Sequence, residues 1–236
     1  MNKYKNLAFN TIILAVGTFG SKILSFFLTR LYTTYMPSET LGTKELIETT
    51  ANFLIPVFTF AISEAVIRFG LDREYDNRQV FSTAIMIQVM GLLIMGLLSP
   101  FLSLIPFVKG FTPLLAIYVI VSSFRQTCSL FVRSIGYVKL YAFDGILATV
   151  TIFIFNIIFI SGLKLGLKGF FLAVIASDLC STVFLWCIAS LRKYFSIRYA
   201  DRDVMHTMLR FSIPMIPTSV MWIITGFSDR LFIKYL

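Results

Sequence analysis

The sequence is built from apolar stretches of about 20 residues or more, separated by short polar connections. A helix rises about 1.5 Å per residue, so about 20 apolar residues cross the roughly 30 Å hydrocarbon core of a bilayer. Barrel strands need only about 9–11 residues of alternating polarity, so these lengths select helices. Seven spans are predicted: 7–32, 48–69, 80–104, 112–135, 142–161, 167–191, and one that begins near Phe211 and still runs at Leu236. Composition agrees: 57% of residues are apolar and 14% are charged, against about 25% charged in a soluble domain. That excludes a disordered chain, a disulfide scaffold and an ordinary soluble enzyme.

The net charge is +9. Most cations sit between apolar runs, where orientation signals belong, and there is no aromatic-interleaved basic motif for nucleic acid. With a cytoplasmic N-terminus, the inside segments hold nine cations: Lys3, Lys5, Arg73, Arg78, Lys139, Arg192, Lys193, Arg198 and Arg202. The outside segments hold four: Lys44, Lys109, Lys164 and Lys168. The expectation is therefore a multi-pass plasma-membrane protein with its N-terminus inside, and with the 192–207 connection cytoplasmic. The first run carries Lys22 and no small-residue cleavage site, so it reads as a retained span rather than a signal peptide. Cys128, Cys180 and Cys187 have no ligand or pairing spacing and read as free, buried thiols.

Polar residues inside spans follow helical spacing and so share faces. Thr18, Ser21, Lys22, Ser25 and Thr29 form one stripe, and Asn52, Pro56, Thr59 and Ser63 a second. Ser122, Arg125, Ser129 and Arg133 form a third, and Ser177, Asp178, Ser181 and Thr182 cluster on the sixth span. Ionisable residues at membrane depth face a bundle interior or a wet cavity. Structural readings stand beside functional ones. Glu64 and Arg68 are spaced for an intrahelical pair, Lys22 and Asp178 for a mutual one, Arg30, Arg133 and Arg230 for snorkelling, and the Ser/Thr stripes for helix–helix contact. Lys22, Arg30, Arg68, Arg125 and Arg133 outnumber Glu64 and Asp178, so the expected cavity is cationic and suits an anionic ligand, phosphate above all. Pro214 and Pro217 predict a broken entry to the seventh span.

Residues 27–35 and 227–235 match at an offset of 200, with Phe, Arg, Leu and Tyr repeated. Transporters are often built from such repeats. The expected architecture is an all-α six-helix transmembrane lobe over 1–205, followed over 206–236 by the first helix of a second lobe, as in a truncated two-lobe transporter.

Three segments carry a resemblance: 62–69 (Ile-Ser-Glu-Ala-Val-Ile-Arg-Phe), 211–217 (Phe-Ser-Ile-Pro-Met-Ile-Pro) followed by 228–233 (Ser-Asp-Arg-Leu-Phe-Ile), and an opening helix with Asn10, Gly17, Lys22 and Arg30-Leu31-Tyr32. They resemble bacterial polysaccharide repeat-unit flippases (O-antigen, capsule, exopolysaccharide) of the multidrug/oligosaccharidyl-lipid/polysaccharide exporter superfamily. The resemblance implies two six-helix lobes around a central cavity and alternating access. It implies translocation of an undecaprenyl-diphosphate-linked oligosaccharide to the outer leaflet, beside membrane lipids and polysaccharide polymerase machinery. By position it makes Lys22, Arg30, Arg68 and Arg230 candidates for the diphosphate, joined by Arg125 from the polar stripes, with Glu64, Asp178 and Asp229 as coupling or cavity groups. No cofactor or metal is expected beyond a coupling ion such as H+ or Na+. The alternatives are a multidrug/cation antiporter of the same superfamily, which would favour acidic cavity residues, and a peptidoglycan-precursor flippase. An enzyme is disfavoured: the only histidine is His206, and no paired-Asp metal motif or Gly-rich phosphate loop is present.

Overall fold

A computed structural model of the chain describes Phe19, residues 22–104 and residues 108–235, with side chains through Thr225. Every element among these residues is helical. Helix α1 is described over 22–35. It is followed by α2 (Ser38–Phe58), α3 (Ile62–Leu71), α4 (Asn77–Leu102), α5 (Thr112–Ser134), α6 (Val138–Asn156), α7 (Gly166–Ile188), α8 (Arg202–Ser212) and α9 (Met215–Tyr235). A π-helical turn, Ile157–Gly162, extends α6. Five helical segments are long and apolar enough to cross a membrane, and the α2–α3 pair makes a sixth if counted as one bent span. The protein is a multi-pass membrane protein.

The helix boundaries follow local chemistry. The Asp76 carboxylate accepts from the Arg78 amide and caps α4, and Asp201 caps α8 through the Asp203 and Val204 amides. Pro113 stands in the first turn of α5, where its missing N–H costs nothing. Helix α4 turns Met90, Leu93, Leu97 and Phe101 outward, as a lipid-facing helix should, because every backbone group is already satisfied within the helix. Two buried clusters hold the bundle. One joins α1, α2, α5 and α7 around Ile47, Leu115 and Phe171. The other joins α3, α4, α5 and α8 around Ile62, Phe81, Phe131 and Met208, with Phe81 stacked on Phe131 at 4.4 Å between ring centroids.

Three sequence expectations change here. The second span is not one helix from residue 48: it starts at Ser38 and breaks after Phe58, where the axis bends by 56°. Phe60 and Ala61 take left-handed backbone angles, φ 55° and 48°, a conformation costly for residues with a Cβ. The break keeps its hydrogen bonds, with the Ala61 amide donating to the Pro56 carbonyl and the Thr59 amide to that of Ile55. It also needs a neighbour without a side chain: a Cβ on Gly91 of α4 would lie 1.7 Å from the Phe58 carbonyl oxygen. Second, the connection before the seventh span is shorter than expected. α8 already begins at Arg202, and the chain breaks between Ser212 and Met215 around Pro214. Third, of the three free thiols only Cys128 is buried, while Cys180 and Cys187 lie on the outside of α7.

Candidate functional site

A cavity of about 750 Å³ opens between α1, α2, α5, α6 and α7. Helix α1 presents Lys22, Ser25, Thr29, Tyr32 and Thr33 to it; the first three belong to the polar stripe read from the sequence, whose Thr18 and Ser21 lie outside the described residues. α5 contributes Tyr118 and Arg125, and α7 contributes Phe170, Ser177 and Asp178. The cavity therefore brings together three of the predicted residues, Lys22, Arg125 and Asp178.

Arg125 is held by two carboxylates. Its Nη2 lies 3.4 Å from Asp144 Oδ2 and its Nη1 lies 3.7 Å from Asp178 Oδ1. Its Nε donates to the Ser181 hydroxyl at 2.9 Å. Asp144 of α6 is fully buried and accepts from the hydroxyls of Ser129, at 3.0 Å, and Ser181. Asp178 accepts from the Ser122 hydroxyl. Thus the serines of the third and fourth stripes serve as donors around a charged centre where α5, α6 and α7 meet. Two acids on one guanidinium, each also hydrogen-bonded, form the kind of satisfied buried network that fixes a unique packing.

On the opposite wall, Lys44 of α2 donates to Glu48 Oε2 at 2.6 Å. Its Nζ lies 4.8 Å from the ring centroids of both Tyr32 and Phe170, within cation–π range. Sequence reasoning placed Lys44 in an outside connection, because the stretch from Ser38 to Glu48 is too polar for a span. The helix begins there because that face looks into a wet cavity. Asp144 was missed because it lies two residues inside the predicted start of its span. The signal for it was the surplus of serines and Arg125 on neighbouring stripes, which lacked an acceptor.

The remaining candidates lie elsewhere. Arg30 is exposed on α1 and is not part of the cavity wall. Arg68 is exposed at the end of α3. Its guanidinium carbon sits 4.6 Å from the Phe211 ring centroid, and among the described residues it forms no ion pair with Glu64. Glu64 instead lines a separate small cavity of about 190 Å³ beside the α2–α3 break, with Asn52, Gln126 and Ser219. The side chains of Asp229 and Arg230 lie outside the described residues. The alternative Lys22–Asp178 pair is not formed among the described residues, since Asp178 turns to Arg125. Nor is the wall cationic in excess: Lys22, Lys44 and Arg125 face Glu45, Glu48 and Asp178. Among the described residues, Lys22 is the wall cation with no ion-pair partner.

This helical fold has counterparts in solved structures. An outward-facing multidrug resistance MATE family transporter of the MOP superfamily matches with a TM-score of 0.70 at 15% identity, over 92% of this chain and 52% of that one. A MOP superfamily transporter from Pyrococcus furiosus, whose reversed pocket polarity suggests a different function, matches with a TM-score of 0.69 at 13% identity, over 92% and 54%. A MATE protein in complex with Br-NRF matches with a TM-score of 0.67 at 17% identity, over 94% and 57%. The fold is that of these transporters. The chain spans about half the length of the solved structures it matches. No family profile and no curated protein sequence matches it.

Proposed function

We propose that the chain is part of a flippase that moves a polyprenyl-diphosphate-linked oligosaccharide across the plasma membrane, by alternating access of two lobes with the N-terminus cytoplasmic. The observation that carries this reading is Lys22. It lines the 750 Å³ cavity without an ion-pair partner among the described residues, and so offers a positive charge to a polar cargo head. Arg125 is matched by Asp144 and Asp178 and Lys44 by Glu48, so neither charge is free in the same sense. The resemblance of the 62–69 and 211–217 segments to polysaccharide flippases supports the same cargo class.

A second reading is a multidrug/cation antiporter. Glu45, Glu48 and Asp178 on the wall favour it, because a lipophilic cation needs carboxylates. For the Pyrococcus furiosus transporter, pocket polarity was the ground for suggesting a different function, and the same reasoning separates the two readings here.

The test is reconstitution of the full-length protein in vesicles, with two cargoes measured side by side. Translocation of a polyprenyl-diphosphate oligosaccharide is expected, and Lys22→Ala lowers its rate about tenfold or more, the loss of one charge-assisted hydrogen bond to phosphate. Efflux of ethidium without oligosaccharide translocation would establish the antiporter instead.

A further inference from the structure

Three connections converge at the α3–α8 end of the bundle: α3 to α4, α5 to α6, and α7 to α8. The α3–α8 and α4–α8 contacts and the Ser82–Tyr194 hydrogen bond, 2.9 Å, tie them together. Segments 68–78, 133–141 and 189–212 together hold ten Lys/Arg against five Asp/Glu. Three of those acids are turned to their own backbone: Asp72 accepts from the Glu74 amide, Asp76 from that of Arg78 and Asp201 from those of Asp203 and Val204.

Three arginines at this end are held by rings rather than by carboxylates. Arg68 lies over Phe211 at 4.6 Å, Arg133 over Tyr141 at 5.3 Å and Arg78 over Tyr199 at 5.6 Å. All three are exposed, and none forms an ion pair among the described residues. A ring under the guanidinium plane fixes its position; Arg78 Nη1 also donates to the Tyr199 hydroxyl at 3.5 Å, and the fork of the other in-plane N–H donors matches phosphate oxygens. Exposed apolar side chains stand among the cations, notably Leu71 at 64% and Ile197 at 72% exposure. Ile197 is flanked by Arg198 and lies near Lys193. Apolar tips beside ring-braced arginines match the boundary between acyl chains and headgroups, where a protein is apolar on one side and cationic on the other.

We propose that this end of the bundle is a docking collar for anionic phospholipid headgroups, in which Arg68, Arg78 and Arg133 each hold a lipid phosphate. The collar is separate from the cargo cavity, whose wall includes none of these three, and it does not depend on the identity of the cargo. It assigns Arg68 to the bilayer surface rather than to the transported diphosphate.

The experiment uses full-length protein in nanodiscs of mixed phosphatidylglycerol and phosphatidylcholine, followed by native mass spectrometry of the retained lipid. Wild type is expected to keep phosphatidylglycerol in preference to phosphatidylcholine. Arg68→Gln, Arg78→Gln and Arg133→Gln should each weaken that preference about fivefold, the worth of one interfacial cation near an anionic surface. Tyr141→Leu, which keeps the Arg133 charge and removes its brace, should weaken it less. Lys22→Ala should leave it unchanged. If a combined variant does not stay monodisperse, the single substitutions decide. Equal phosphatidylglycerol retention in wild type and the single variants would overturn the collar. So would displacement of that lipid from wild type by equimolar undecaprenyl diphosphate, which would give these arginines to the cargo. Neither result bears on whether Lys22→Ala slows oligosaccharide translocation.

Discussion

Removing the Asp144 carboxylate should be the most damaging single change in the α5–α6–α7 interface. Asp144 is fully enclosed and receives three donors: Ser129 at 3.0 Å, Ser181 and Arg125 at 3.4 Å. In Asp144→Ala these groups lose their acceptor at once, and Arg125 keeps one carboxylate, Asp178, 3.7 Å away, and the Ser181 hydroxyl. Breaking a buried ion pair from one side costs about 3–5 kcal/mol. The Arg125 side chain is 27% exposed to the cavity, where water can solvate it, so the low end applies: about 3 kcal/mol. Asp178→Ala should cost less, about 1–2 kcal/mol, because its pair is longer and partly solvated. The two sites share Arg125, so the double variant should fall short of additivity. The assay is reversible unfolding of the full-length protein in mixed micelles. An Asp144→Ala cost within about 0.5 kcal/mol of zero, or a larger cost for Asp178→Ala, would refute the assignment of Asp144 as the anchor of the network.

The other predictions follow from single contacts. Gly91→Ala should destabilise by about 1–3 kcal/mol or stop accumulation in the membrane, because its Cβ would meet the Phe58 carbonyl at the α2–α3 break; expression level and thermal stability read this out. Lys44→Met should cost about 1 kcal/mol through its lost pair with Glu48 and its two ring contacts, and a stability equal to wild type would show those contacts to be incidental. A cysteine at Ser196, with Cys180 and Cys187 replaced by serine, should label from the cytoplasmic side only, as the charge distribution of the connections requires; labelling from outside intact cells would invert the topology.

The spans were legible because a bilayer demands about 20 apolar residues in a row, and that demand is local. The α2–α3 break was not, because its cause is not in the segment. Thr59, Phe60 and Ala61 contain neither Gly nor Pro, and Pro56 sits within the helix before the break. The break exists because Gly91, thirty residues later in the chain, leaves room for the displaced Phe58 carbonyl. The polar stripes on α1, α5 and α7 were legible as faces, since helical spacing fixes which residues share a side. The partner of those faces was not: Asp144 looked like a span terminus, Lys44 and Glu45 looked like part of a loop, and Glu48 looked like the first residue of a span.

The charge of the cavity shows why counting ionisable residues misjudges a membrane protein. The sequence count made the spans cationic, with Arg30, Arg68 and Arg133 weighed together with Lys22 and Arg125. Folding sorts these cations into three environments. Arg125 is neutralised by two acids inside the bundle. Arg68 and Arg133 stand in the last turns of α3 and α5 and lie on aromatic rings. Lys22 stays in the cavity without an ion-pair partner among the described residues. A cavity with three cations and three carboxylates on its wall draws its cargo preference from the charges that are not already paired, because a paired charge must first break its own contact before it serves a ligand. On the function proposed above, substrate charge is set at Lys22 rather than by the sum over the wall. On that reasoning Lys22→Glu, which reverses the unpaired charge and leaves the Arg125 network intact, should move the protein away from anionic lipid cargo and toward organic cations. A Lys22→Glu protein that still translocates polyprenyl-diphosphate oligosaccharide at the wild-type rate would place cargo selection elsewhere in the full-length protein.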